Sequence, residues 1–190
     1  MKSRQFFNIS VYYIPILVGP FILLSGVIFT GKALFWGVPA LQFIPWQVFS
    51  WESVLSGHLP LWNPYIGMGA PLIANYQLAL FYPPNWFLFI AYIFGDTPWM
   101  AWVQGVLIAL HLSWAGLGMA LLSKRLNTGI LGQVIAGLTF CMGGALVARA
   151  GFISMIYTVV GLPWVILTAS RIAFPIRDAR QKTSNSAQAS

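Results

Sequence analysis

An all-α, polytopic membrane protein is the fold class this sequence predicts, and three observations predict it. The chain of 190 residues is 58% hydrophobic and 7% charged, where a water-soluble domain carries about a quarter charged residues. Four uncharged runs, at residues 5–31, 97–123, 126–148 and 150–170, are long enough to cross a bilayer, since a spanning helix needs ~20 mostly apolar residues. The ten bases outnumber three acids, Glu52, Asp96 and Asp178, for a net charge of +7, and they punctuate the apolar runs instead of gathering on one element. Topology signals are placed that way, and the pattern argues against a nucleic-acid partner.

The first span, about 9–30, has Lys2 and Arg4 before it and Lys32 after it. Its apolar stretch exceeds the ~7–15 residue core of a signal peptide and lacks a small-residue cleavage pattern, so it reads as an uncleaved anchor. Pro15 and Pro20 are expected to kink it, which a membrane helix tolerates when neighbours satisfy the freed carbonyls. With both termini cytoplasmic, Lys2, Arg4, Lys124, Arg125, Arg171, Arg177, Arg180 and Lys182 lie inside and only Lys32 and Arg149 outside. The inverse topology opposes the positive-inside rule. A large loop, 32–96, therefore lies on the extracytoplasmic side between the first two spans.

Residues 33–51 are uncharged as well, but they carry Gly37, Pro39, Gln42, Pro45 and Gln47. We read them as lying along the surface. Pro45 suits the first turn of a helix and Gly57 its C-terminal cap. Val48, Trp51 and Leu55 are expected on one face and Ser50, Ser53 and Ser56 on another, an amphipathic helix in the membrane interface. The stretch that follows, LPLWNPYIGMGAPLIANYQLALFYPPNW, has no charge and five prolines. Its prolines fix the backbone and Gly67 and Gly69 supply turns. Asn63, Asn75, Gln77 and Asn85 offer amides that either satisfy a compact loop or hold a polar ligand.

A short interfacial or re-entrant helix from Trp86 to Phe94 ends at Gly95-Asp96, and Pro98 opens the second span, about 98–122. The third and fourth spans are placed at about 129–148 and 152–170. Residues 1–172 thus form one transmembrane module, and the polar tail 173–190 reads as cytoplasmic and disordered. Gly116 with Ala120, and Gly132 with Ala136, stand four apart and are expected to let helices approach closely, within the chain or against other membrane helices. The single cysteine, Cys141, cannot form an intrachain disulfide and reads as packing.

Three ionisable residues have two readings each. Glu52, a weak catalytic candidate, could serve as a base or hold a divalent ion, or be a wet surface carboxylate. His111 sits mid-span, where ionisable side chains are costly and often functional, or else it hydrogen-bonds a neighbouring helix. Gln104, His111 and Gly118 recur at intervals of seven and share one face. Arg149 follows Gly143-Gly144 at the outer end of the third span and could meet a lipid phosphate or snorkel to the headgroups. His58 reads as an exposed turn residue. No Walker loop, zinc cluster, hydrolase triad or haem signature occurs, so no cofactor is evident beyond a possible divalent metal ion.

The ordered elements Gly57 to Pro64 (GHLPLWNP), Gly69 to Gln77 (GAPLIANYQ) and Phe81 to Asn85 (FYPPN), with HLSWAGLGMALLSKRL at 111–126 and GLTFCMGGALVARAGFISMIYTVVGLPWVILTASRI at 137–172, resemble the bacterial YfhO-like membrane proteins. The resemblance covers nearly the whole chain except the tail. It implies a relation to the GT-C superfamily of glycosyltransferases, which use a polyprenyl-phosphate sugar on the outer side of the cell membrane. It also implies a first outer loop with interfacial helices and an acidic residue. Substrate contacts are then expected from Asn63, Asn75, Gln77, Asn85, His111 and Arg149. In the family an aspartate stands four residues before the glutamine of a "G-D-x-x-x-Q-x-x-P" run; here that position is Val38, which can neither take a proton nor bind a metal. Family members are several times longer, so the chain reads as an N-terminal fragment, a frameshifted product or a reduced relative. A non-catalytic component that binds lipid-linked glycan, or packs with other membrane helices, is the alternative function.

Overall fold

Long apolar runs without interior breakers fold here as helices. In a computed structural model, which describes residues 11–34 and 37–173, the chain is mostly helical, with one two-residue pair of strands among the described residues. Lys2, Arg4, Arg177, Arg180 and Lys182, the start of the first predicted span, and the tail from residue 174 lie outside the described residues.

The helices among the described residues are α1 (Ile14–Leu23), α2 (Ser25–Ile28), α3 (Ile44–Leu55), α4 (Trp86–Arg125, broken at Gly95 and Asp96, whose backbone angles leave the helical range), α5 (Ile130–Cys141), α6 (Gly144–Val147), α7 (Ile153–Val159) and α8 (Leu162–Ala173). Among the described residues three helical segments, Pro83–Arg125, Ile130–Val147 and Ile153–Ala173, are long and apolar enough to cross a membrane. The first predicted span is shorter in its described part. Its helix is interrupted at Leu24 (φ −93°, ψ 14°), although the Leu24 N–H still bonds the Pro20 carbonyl at 3.0 Å.

Helix α4 is the centre, with α1, α5, α7 and α8 packed along it. Small residues set the closest approach. A Cβ on Gly137 would lie 2.6 Å from Ile16 Cδ1 and 2.8 Å from the Gly116 carbonyl, and one on Gly116 would lie 2.5 Å from Ile16 Cγ2. The crossing of α1, α4 and α5 therefore depends on Gly116 and Gly137. Gly132, expected to serve there, has only Thr128 of its own turn nearby. Polar side chains add direct bonds between helices, a common membrane device. Ser113 donates to the Leu17 carbonyl at 2.8 Å, Tyr13 to Gln133 Oε1 at 2.6 Å, and Trp102 Nε1 to the Ile28 carbonyl at 2.9 Å.

The segment before α4 packs onto it. A π-helical turn, Pro39–Phe43, runs into α3, which has Pro45 in its first turn and ends at Ser56 and Gly57 (φ +79°). Phe43, Ile44, Trp46 and Trp51 join Leu72, Leu78, Leu80, Leu88, Met100 and Ile153 in one apolar cluster. The face buried by α3 overlaps the expected one in part: Trp51 is buried and Val48 packs against the cluster. Gln47 and Ser50 are buried and Leu55 is exposed. Ser50, Ser53 and Ser56 each donate to the carbonyl four residues back, so Ser50 satisfies its hydroxyl locally and can enter the core.

Strands β1 (Trp62–Asn63) and β2 (Ala70–Pro71) pair antiparallel, with Trp62 opposite Pro71 and Asn63 opposite Ala70. Gly69 has φ +95°, and a Cβ there would sit 2.5 Å from Trp62 Nε1. Both the backbone angle and the indole exclude a side chain. Gly69→Ala is expected to cost about 1–3 kcal/mol, read as a lower unfolding midpoint in detergent, with Gly26→Ala, where a Cβ meets nothing within 4 Å, as the near-neutral control.

Candidate functional site

A 3-10 turn, Pro83–Asn85, leads into α4, so the prolines of the FYPPN run begin the long helix and aim Asn85 into the protein. Asn85 is fully buried. Its Nδ2 donates to the Leu78 and Ala79 carbonyls at 3.1 and 2.8 Å, and its Oδ1 accepts from Tyr157 Oη at 2.6 Å. Two carbonyls can only accept, so the amide orientation follows from the network itself.

His111 is reached from the same side. Its Nδ1 lies 2.6 Å from the Leu107 carbonyl and its Nε2 lies 2.8 Å from Tyr82 Oη. The carbonyl requires Nδ1 to carry the proton, so in the neutral ring Nε2 accepts from the Tyr82 hydroxyl. The rings stack. Tyr157 lies 4.2 Å from Tyr82 and 4.4 Å from His111 between ring centroids. Tyr82, Asn85, His111 and Tyr157 thus form one bonded cluster where α4 meets α7. Sequence reasoning placed Asn85 and His111 among the candidates and missed both tyrosines. The available signal was the phenolic oxygen of Tyr157 in an apolar run, which needs a partner when buried.

Arg149 lies in the turn between α6 and α7, exposed, with Nη1 3.3 Å from the Ala145 carbonyl. It borders an apolar groove of about 650 Å³ whose walls include Met119, Phe140, Leu146, Met155 and Ile156. Among the described residues, Arg149 is the only charged one lining that groove. A second cavity, about 490 Å³, is lined by Tyr76, Tyr82, Ser154, Tyr157 and Thr158. The two cavities share Met155 and Val159 as walls, so the tyrosine cluster and the arginine groove flank α7. Pro39 braces the Arg149 turn, since a Cβ on Gly151 would meet Pro39 Cγ at 2.7 Å, and Phe43 packs edge-on against Phe152.

The other sequence-predicted residues lie elsewhere. Asn63 Oδ1 accepts from the Tyr65 N–H at 2.9 Å and Asn75 Oδ1 from the Gln77 N–H at 3.0 Å, the side-chain turns typical of asparagine. These oxygens hold their own loop. Gln77 is half-buried and Val38 is exposed. Glu52 is exposed and accepts from Tyr92 Oη at 3.2 Å. Tyr92 and Asp96 line a cavity of about 460 Å³ that shares no lining residue with the other two. Among the described residues no three His, Cys, Asp or Glu side chains gather into a set that could hold a metal ion.

Compared with known protein families, curated proteins and solved structures, the chain matches none of them.

Proposed function

We propose that this chain is a YfhO-like membrane protein related to the GT-C glycosyltransferases, and that it takes part in moving a sugar from a polyprenyl-phosphate carrier to a cell-envelope acceptor. In this reading the membrane is crossed four times, both termini are cytoplasmic, and residues 32–96 lie outside. The observation that carries it is the groove of about 650 Å³, apolar along its walls, with Arg149 as the one charged residue on its border among the described residues. An isoprenoid chain matches such walls. A guanidinium matches the phosphate that must sit where the chain meets water. Among the described residues one donor nitrogen of Arg149 makes a bond, at 3.3 Å, and the fork carries further donors that suit an anion.

One observation favours the non-catalytic alternative, a component that binds lipid-linked glycan without transferring it. Glu52 bonds Tyr92 and Asp96 lines a separate cavity, and among the described residues no carboxylate lines the groove or the tyrosine cavity.

The test is binding of a short-chain polyprenyl-phosphate sugar to the purified chain in nanodiscs. Native protein is expected to bind saturably, and Arg149→Ala to weaken binding about tenfold, the loss of one charge-assisted contact of roughly 1.4 kcal/mol. Native binding no greater than that of empty nanodiscs would overturn the reading.

A further inference from the structure

Two levels of contact pin α8 to α4. The Trp114 and Trp164 rings stack at 4.2 Å with 17° between their planes, Trp164 Nε1 donates to the Trp114 carbonyl at 3.0 Å, and a Cβ on Gly118 would meet that indole at 2.5 Å. Further along both helices, Arg125 Nη2 donates to the Ser170 carbonyl at 2.8 Å. The order of these contacts makes the two helices parallel and brings their C-terminal ends together. Lys124 and Arg125 lie in the last turn of α4 and Arg171 in the last turn of α8, so three bases from two helices gather around the Arg125–Ser170 bond. Bases in a last turn offset the helix dipole, and bases commonly collect on one side of a membrane. Neither effect requires the bases of two helices to meet at a shared contact.

The surroundings say what the cluster accepts. Among the described residues the carboxylates are Glu52 and Asp96. Asp96 stands 28 residues before Lys124, about 42 Å of helix, and Glu52 bonds Tyr92, which precedes Asp96. Across several Debye lengths neither carboxylate balances the cluster. Lys124 and Arg171 are exposed, and so are their apolar neighbours Leu126 and Ile172, at 69% and 80%. Apolar side chains that open beside cations match the boundary between acyl chains and headgroups, whereas a soluble anion would leave them uncovered. We propose that the adjoining C-terminal ends of α4 and α8 form a site for an anionic phospholipid, whose phosphate meets Lys124 and Arg171 and whose acyl chains cover Leu126 and Ile172. Arg125 is a positioning residue, because its bond to Ser170 sets the separation of the two helix ends. The site shares no residue with the Arg149 groove; it requires that α4 and α8 cross the bilayer and nothing of the carrier reading.

The test uses the full chain in phosphatidylcholine nanodiscs that contain a small fraction of either phosphatidylglycerol or phosphatidylcholine with a photoreactive group on its headgroup, the adducts being mapped by mass spectrometry. Native protein is expected to give about tenfold more adducts on residues 124–131 and 170–173 from the phosphatidylglycerol label, each base near a membrane surface contributing about three- to fivefold. Lys124→Gln and Arg171→Gln, at exposed positions where folding is not at stake, are each expected to reduce that excess about three- to fivefold and together to erase it. Lys124→Arg combined with Arg171→Lys is expected to keep it. Arg125→Gln is expected to reduce the excess, and Arg125→Lys, which can still donate to the Ser170 carbonyl, to restore most of it. Unlabelled phosphatidylglycerol is expected to compete, and soluble glycerol phosphate is not. Equal yields from the two labels, or an excess that survives in the double glutamine variant, would overturn the proposal. Competition by glycerol phosphate as strong as that by phosphatidylglycerol would overturn the lipid in favour of a soluble phosphate.

Discussion

Truncating Trp51 to alanine is expected to lower stability by about 3 kcal/mol or more, the usual range for a buried aromatic side chain replaced by alanine. Trp51 is 1% exposed and lies 5.1 Å from Phe89 and 5.8 Å from Trp86 between ring centroids. It joins α3 to the first part of α4. Much of the loss would be dispersion contacts around the vacated volume, so the effect does not depend on water reaching the site. Denaturation in mixed micelles measures it, and Leu55→Ala, on the exposed side of the same helix, is expected to cost a few tenths of a kcal/mol. Equal effects at the two positions would mean that α3 does not bury the face described.

Replacing Asn85 is expected to be nearly as costly and to carry a chemical signature. Asn85→Ala leaves the Leu78 and Ala79 carbonyls and the Tyr157 hydroxyl without their partner, a loss of about 3 kcal/mol for a buried, multiply bonded amide. Asn85→Asp keeps the volume but directs a carboxylate oxygen at two carbonyl oxygens, so it is expected to be no better than alanine. Tyr157→Phe removes one bond and is expected to cost about 1 kcal/mol. Thermal unfolding in detergent separates these variants, and an aspartate variant as stable as the native chain would contradict the bonding pattern.

Local chemistry was legible in the sequence, and long-range placement was not. Pro45 and Gly57 delimit α3 as expected, because proline at the first turn and glycine past the last are requirements of the helix itself. The break at Gly95 and Asp96, where φ of Asp96 is +60°, likewise follows from a glycine and the Pro98 behind it. Which side of α3 is buried was read in part: Trp51 is buried as expected, but so is Ser50, and Leu55 is exposed. Ser50 hides its hydroxyl by bonding its own backbone, so a polar residue did not mark the wet face. Spacing of small residues named two possible helix contacts, but Gly137 and not Gly132 meets Ile16, since spacing selects faces and cannot select partners. The tyrosine cluster joins residues 29 and 72 positions apart, and no periodicity within a helix contains that information. Gln47 and Gln104 are buried with both side-chain polar atoms unpaired, a feature for which the packing offers no physical account.

The central claim is that the Arg149 groove holds the chain of a phosphorylated lipid. Photo-crosslinking tests it most directly, using a polyprenyl phosphate with a photoreactive group in the chain and mapping the adducts by mass spectrometry. The account predicts adducts concentrated on Met119, Phe140, Met155 and Ile156, competed by unlabelled polyprenyl phosphate and diminished in Arg149→Ala. Adducts spread over outward residues such as Leu110, Trp114 and Val165, with no enrichment in the groove and no competition, would contradict it.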